Sequence, residues 1–200
     1  MKRILAVVGA GLLILLTGCT NMNSAATVGN TQIPITAIQK SIDAVVAERA
    51  KVDTTSMTLE TGATLATSEL RFHLISQLLV DVSTEHGIKL TVAEQATRKK
   101  AIIAQVGGAA ALPQAFVGAG IASTDFDMYI QSVLYSEKLT QLAITQGATT
   151  ANSGAAIQAM VVKTAKRLKV TVNPRYGKWD PVAANVVSAS TTNGAVSAAQ

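Results

Sequence analysis

One stretch, Lys169–Asp180 (KVTVNPRYGKWD), limits what this chain can fold into more than any other. Val170-Thr171-Val172 is β-branched, with apolar residues at alternate positions, and reads as a short strand with one buried face. Asn173-Pro174 ends it, because proline has no N–H for a ladder and pushes the residue before it towards extended geometry. Arg175-Tyr176-Gly177 then turns the chain, and the only tryptophan, Trp179, follows. Before this point the pattern is almost all helical. A strand so late needs a partner, and the candidates lie far upstream, at Ala26–Val28 or Gln32–Ile33. The expected fold is therefore mostly α, with a small β element that pairs the N- and C-terminal segments and closes the domain end to end.

The front of the chain reads as an address. Met1–Gly18 has the form of a secretion signal: Lys2-Arg3, an apolar run from Ile4 to Leu16, then Thr17-Gly18. The run is too short to span a bilayer as a mature helix. Leu16-Thr17-Gly18-Cys19 resembles the lipobox of bacterial lipoproteins, which implies that Cys19 takes a diacylglycerol and becomes the first residue after cleavage. Each buried acyl carbon contributes about 0.8 kcal/mol, so two or three chains hold firmly. Cys19 is the one cysteine in 200 residues, so no disulfide forms within the chain. The expected organisation is a signal peptide over 1–18, a lipidated tether over 19–25, a helical domain over 26–180, and a disordered, uncharged Ala/Ser/Thr/Asn tail over 181–200.

Within the domain, Gly29-Asn30 between Val28 and Ile33 suggests a tight hairpin. Thr36-Ala37-Ile38-Gln39 has the spacing of a capping box and opens a helix to about Lys51, with Ile38, Ile42, Val45 and Val46 aligned. Thr-rich Val52–Ala63 reads as a loop. The next helix, about Leu65–His86, carries Leu70, Leu74 and Leu78 on one side and Phe72, Ile75, Leu79 and Val82 on the adjoining one. So wide an apolar arc predicts a central helix with neighbours on two flanks. Arg71 projects into that arc and must snorkel or meet a carboxylate; Gly87 stops the helix. Thr91-Val92-Ala93-Glu94 is a second capping box, opening a helix to about Val106 whose Arg98-Lys99-Lys100 run reads as a solvated face. A helical turn follows at Leu112–Val117. Ser123 or Thr124 caps a fifth helix with Asp125 and Asp127 in its first turn and a stripe of Phe126, Ile130, Val133, Leu134, Leu139 and Leu142. Thr149 or Thr150 starts a sixth, running to Arg167.

The composition excludes several function classes. Setting Lys2 and Arg3 aside leaves 15 basic against 12 acidic residues, too few and too scattered for nucleic acid. The two histidines, His73 and His86, lie about 20 Å apart along one helix and cannot share a metal. Structural roles are expected for both. Asp125 and Asp127 read as capping residues, since further oxygen ligands at calcium spacing are missing. No phosphate-cradling Gly loop is present. The sequence predicts no catalytic constellation, no cofactor and no metal.

AATVGNTQIPITAIQKSIDAV near the front, the helical middle, and VTVNPRYGKWD at the back together resemble the SurA-like N-terminal chaperone domain of bacterial extracytoplasmic lipoproteins, over roughly residues 25–180. The back motif is carried by Asn173, Pro174, Arg175, Tyr176, Gly177 and Trp179. The resemblance implies a helical SurA/trigger-factor-like fold that holds unfolded or extended secreted polypeptide in a groove between helices, with the membrane as second partner through the lipid. The parvulin prolyl-isomerase domain often attached to such proteins has no room here, which leaves residual isomerase activity as a weaker reading. Adaptable residues for a groove are Met57, Phe116, Val117, Met128, Tyr129 and Tyr135; the alternative is that they are ordinary core. Likewise Arg175, Tyr176 and Trp179 can form a packing corner, the Arg over an aromatic ring. The competing function is a structural lipoprotein docked on one folded envelope partner. Thr20 is not an inner-membrane retention Asp, which in a two-membrane cell implies the outer membrane. Composition and resemblance point instead to a single cytoplasmic membrane, facing out.

Overall fold

The computed structural model describes residues 23–188. The signal segment, Cys19, most of the tether and the tail beyond residue 188 lie outside the described residues. The described chain is mostly helical, with six α-helices and two small antiparallel sheets.

The chain closes on itself as its β-branched segments predict. β1 (Ser24–Val28) turns through Gly29-Asn30 into β2 (Thr31–Pro34), and Gly29 takes the left-handed φ of 58° that this tight turn needs. On its other edge β1 pairs antiparallel with β3 (Thr171–Val172), Ala26 facing Val172 and Thr27 facing Thr171. Of the two candidate partners, Ala26–Val28 is the one used. Asn173 N–H extends the pairing to the Ala25 carbonyl at 2.9 Å. Ala25, Ala26, Val28 and Ile33 turn inward and are buried in the main core.

α1 (Ile35–Arg49) begins directly after Pro34, without a side-chain cap. The expected Thr36 capping box is therefore not formed, because proline pre-sets the start earlier and leaves Thr36 inside the first turn. Gln39 instead donates to Asp43 at 2.8 Å. Ile38 and Val45 are buried, but Val46 is 54 % exposed and Ser41 takes an inward position. After an irregular stretch over 50–61, α2 (Gly62–Glu85) runs through the middle of the molecule, touching α1, β1 and the later elements. Leu70, Leu74, Leu78 and Val82 are fully buried, as the wide apolar arc requires. His86 caps its C-terminus, and Gly87 follows at φ 68°.

α3 (Val92–Gln105) opens on the capping box the sequence predicts: Glu94 N–H donates to Thr91 Oγ1 at 3.2 Å, and Thr91 N–H to Glu94 Oε2 at 2.7 Å. Its basic run is not simply solvated. Lys99 Nζ lies 2.8 Å from Asp127, and Arg98 pairs with Glu137, so two of its three charges tie α3 to α5. α4 (Leu112–Ala119) ends at left-handed Gly120. A short 3₁₀ turn, Ser123–Asp125, leads into α5 (Phe126–Thr145), and a second, Thr150–Asn152, into α6 (Ser153–Leu168). Phe126, Ile130 and Leu134 anchor a satellite core under α3 and α4, while Leu139 joins the main core.

The C-terminal segment departs from expectation. β4 (Lys178–Asp180) pairs with β5 (Asn185–Val187), so the first residues of the supposedly disordered tail are folded. Asp180 makes the turn by accepting from the N–H groups of Val182 and Ala183 at 2.8 and 3.2 Å. Val186 is completely buried, which a tail without charges or aromatics gave no reason to expect. Its carbonyl accepts from Arg71 Nε and Nη2 at 3.2 and 2.7 Å, so Arg71 meets a backbone carbonyl rather than a carboxylate. Tyr176 is buried, its carbonyl accepts from Thr67 at 2.6 Å, and the Arg175 guanidinium lies 5.9 Å from its ring centre. The Asn173–Trp179 motif is a packing corner.

Candidate functional site

Beside their apolar packing in the main core, α2 and α5 also meet through short polar side chains. Ser132 Oγ donates to Ser76 Oγ at 2.8 Å, and both serines line a hollow on either side of this contact. On one side runs an apolar groove of about 540 Å³, walled by Phe72, Ile75 and Leu79 of α2 and by Tyr129 and Val133 of α5. Those residues recur at three- and four-residue spacing, so each wall is one helix face. Ser68, Phe72 and Ile121 belong both to this groove and to a smaller cavity of about 340 Å³ between α2 and the 117–121 segment. Phe72 therefore borders both the larger hollow, an apolar trough along the α2–α5 seam, and the smaller one. Arg71 and Glu137 stand at the margin of the trough with their charges already engaged, by Val186 and Arg98.

Only part of the predicted groove set comes together here. Tyr129 lines the apolar trough. Met128 lines a separate polar cavity of about 390 Å³ on the other side of the Ser76–Ser132 contact, with Ile33, Ala37, His73 and Gln131. Val117 is only 1 % exposed and is core. Phe116 packs edge-on against Phe126, with ring centres 4.9 Å apart. Tyr135 packs on the main core, and the Met57 methyl lies against Gly118. Phe72, Ile75 and Val133, which the periodicity assigned to the apolar stripes, form most of the trough instead. Partial burial cannot be read from spacing, which separates inward from outward but not filled from unfilled seams.

Beneath the polar cavity lies a cluster that the sequence reading missed as a unit. Ser41 of α1, Glu69 and His73 of α2, and Asp125 before α5 are all buried. Ser41 Oγ donates to Asp125 Oδ2 at 2.5 Å, and His73 Nε2 lies 3.0 Å from Ser41 Oγ and 3.1 Å from Asp125 Oδ2. Asp125 is thus neither an exposed capping group nor free. Burial pushes its carboxyl up, but the hydrogen bonds from His73 and Ser41 outweigh that and leave it below the usual carboxylate range. Glu69 is 2 % exposed, and its Oε1 has no hydrogen-bond partner among the described residues. Burial pushes its carboxyl up to about 7, the nearby charge of Asp125 adding to the effect, with His73 and Arg49 opposing it. Glu69 and His73 stand four residues apart on the apolar arc of α2, and that i, i+4 pairing was the available signal.

The cluster is not a nucleophile triad. Such a triad needs one ring nitrogen on the nucleophile and the other on the carboxylate. Here Nε2 faces both, and the serine hydroxyl bonds directly to the aspartate. Among the described residues, no single helix is long and apolar enough to cross a membrane. Comparison of the chain with protein-family models, with curated proteins and with solved structures finds no match.

Proposed function

We propose that this chain is a membrane-tethered, extracytoplasmic lipoprotein with a SurA/trigger-factor-like helical domain that holds extended or unfolded segments of exported polypeptide. The observation that carries this reading is the unfilled apolar trough along the α2–α5 seam. Its course along the seam of two helices suits a stretch of extended chain. Its walls offer aromatic and branched apolar contact with hydroxyls from Ser68, Ser76, Ser132 and Ser136 beside them. Apolar surface left open in a folded domain is a binding feature. Lipid on Cys19 would hold the trough at the membrane face where clients emerge.

The full-length Cys19→Ala protein should slow aggregation of a reduced, unfolded secreted protein at near-stoichiometric ratio. The further change Val133→Lys, which places a charge in the trough at a half-buried position, should abolish that effect while leaving the melting temperature nearly unchanged. Equal protection by both proteins, or by neither, overturns the reading. Photo-crosslinking from position 133 in cells separates it from docking on one folded envelope partner: many low-abundance products support holding, and a single dominant product supports docking. Wild-type protein should incorporate radiolabelled palmitate in cells, and the Cys19→Ala variant should not.

A further inference from the structure

We infer that Glu69, His73 and Asp125 form a buried binding site for one first-row divalent cation, for which Zn²⁺ and Mn²⁺ are the fitting probes. One ligand atom from each residue lies within 4.8 Å of the other two, and the set comprises an imidazole nitrogen and two carboxylate oxygens. Donors around a tetrahedral cation sit roughly 3.3 Å apart, so His73 and Asp125, at 3.1 Å, are already spaced for it, and Glu69 has at most about 1.5 Å to close.

Glu69 supplies the independent observation. A side chain only 2 % exposed, with an oxygen lacking any hydrogen-bond partner among the described residues, is aimed into the group. An unpaired buried carboxylate is costly, and a dication on its oxygen offsets that cost. The hydroxyl of Ser41 fixes Asp125 from the second layer, the role such contacts play around bound metals. A mixed nitrogen and oxygen donor set suits the first-row divalent ions better than calcium or magnesium. His73 also lines the polar cavity beside Ala37 and Met128, which gives an ion a route from solvent. Bound there, it would staple α2 to the turn before α5, with α1 attached through the Ser41–Asp125 hydrogen bond. This inference is independent of what the apolar trough holds.

The test uses detergent-solubilised full-length protein carrying Cys19→Ala, which removes the chain's only thiol, stripped with a chelator. Calorimetric titration with Zn²⁺, and separately with Mn²⁺, should show one site per chain for at least one ion. Saturation should raise the melting temperature by about 5–10 °C. Glu69→Gln, close in shape and able to fold without the buried charge, should weaken binding at least tenfold, and His86→Ala should leave it unchanged. X-ray absorption of the loaded protein should report one imidazole and otherwise oxygen donors. Absence of binding by both ions, loss on His86→Ala, unchanged affinity in Glu69→Gln, or an ion shell without imidazole each overturns the site.

Discussion

Ser132 Oγ donates to Ser76 Oγ across the α2–α5 seam at 2.8 Å, and Ser132 also reaches the Met128 carbonyl at 2.9 Å. This contact divides the apolar trough from the polar cavity above the Glu69–His73–Asp125 group. Ser76 is buried, so Ser132→Ala leaves its hydroxyl without this partner, Ser76→Ala leaves Ser132 only the Met128 carbonyl, and deleting both leaves nothing unpaired. Ser76→Ala and Ser132→Ala should each destabilise by about 1 kcal/mol, and the double variant by less than their sum, with a coupling of about 0.5–1.5 kcal/mol. Urea unfolding of the four proteins measures it. Strict additivity would mean that the two helices are not joined there.

Gly177 adopts φ 137°, a region that side chains rarely occupy, and a Cβ added there would run into the Val187 carbonyl and sit 3.0 Å from Val186 Cγ1. Neither obstacle can move without peeling β5 from β4. Gly177→Ala should therefore cost about 2–3 kcal/mol. Proteolysis should also move to the 181–188 segment. A variant that melts with the wild type would show that β5 contributes nothing to the folded domain.

The end-to-end closure was legible because β-branched alternation and a following proline leave few options, and because Gly29-Asn30 marks a hairpin. The Thr91 box was legible for the same local reason. Thr36 misled, since the same spacing fits a residue already inside the helix once Pro34 begins it. Val46 misled because its spacing matches the core face while Ser41, polar by type, occupies a buried place. Asp125 was read by type as a capping residue, and Glu69 drew no reading at all. The partners of Asp125, Ser41 and His73, sit on other elements 84 and 52 residues away, and no local pattern reports such a meeting. β5 was hidden for a related reason: a short Asn-Val-Val run acquires meaning only opposite Lys178–Asp180.

Asn173 secures the junction of the two chain ends. Its Nδ2 donates to the Ser24 carbonyl at 3.2 Å, and its Oδ1 accepts from Arg175 N–H at 3.1 Å. Asn173→Ala keeps the backbone bond to Ala25 but loses both side-chain contacts, a cost of about 1–2 kcal/mol. Hydrogen exchange should quicken at Ala26, Thr27 and Val172 before it does at Leu74 or Leu78. Uniform quickening would mean that the junction opens only with the whole domain.

Glu94 sets the response to acid. Lys138, 2.6 Å away, together with the Thr91 N–H and hydroxyl, holds its carboxyl down at about 2, against an ordinary 4.5. A carboxyl lowered on folding is protonated more readily in the unfolded chain, so its contribution is complete above pH 4.5 and fades as pH falls towards 2. Glu94→Gln removes that dependence. The melting temperature of the variant should lie below wild type at pH 5–7, and the two should converge near pH 2. Added salt should narrow the gap at neutral pH, because the pair is exposed to solvent. A gap that stays constant from pH 6 to pH 2 would assign the effect to packing at the start of α3 rather than to the charge.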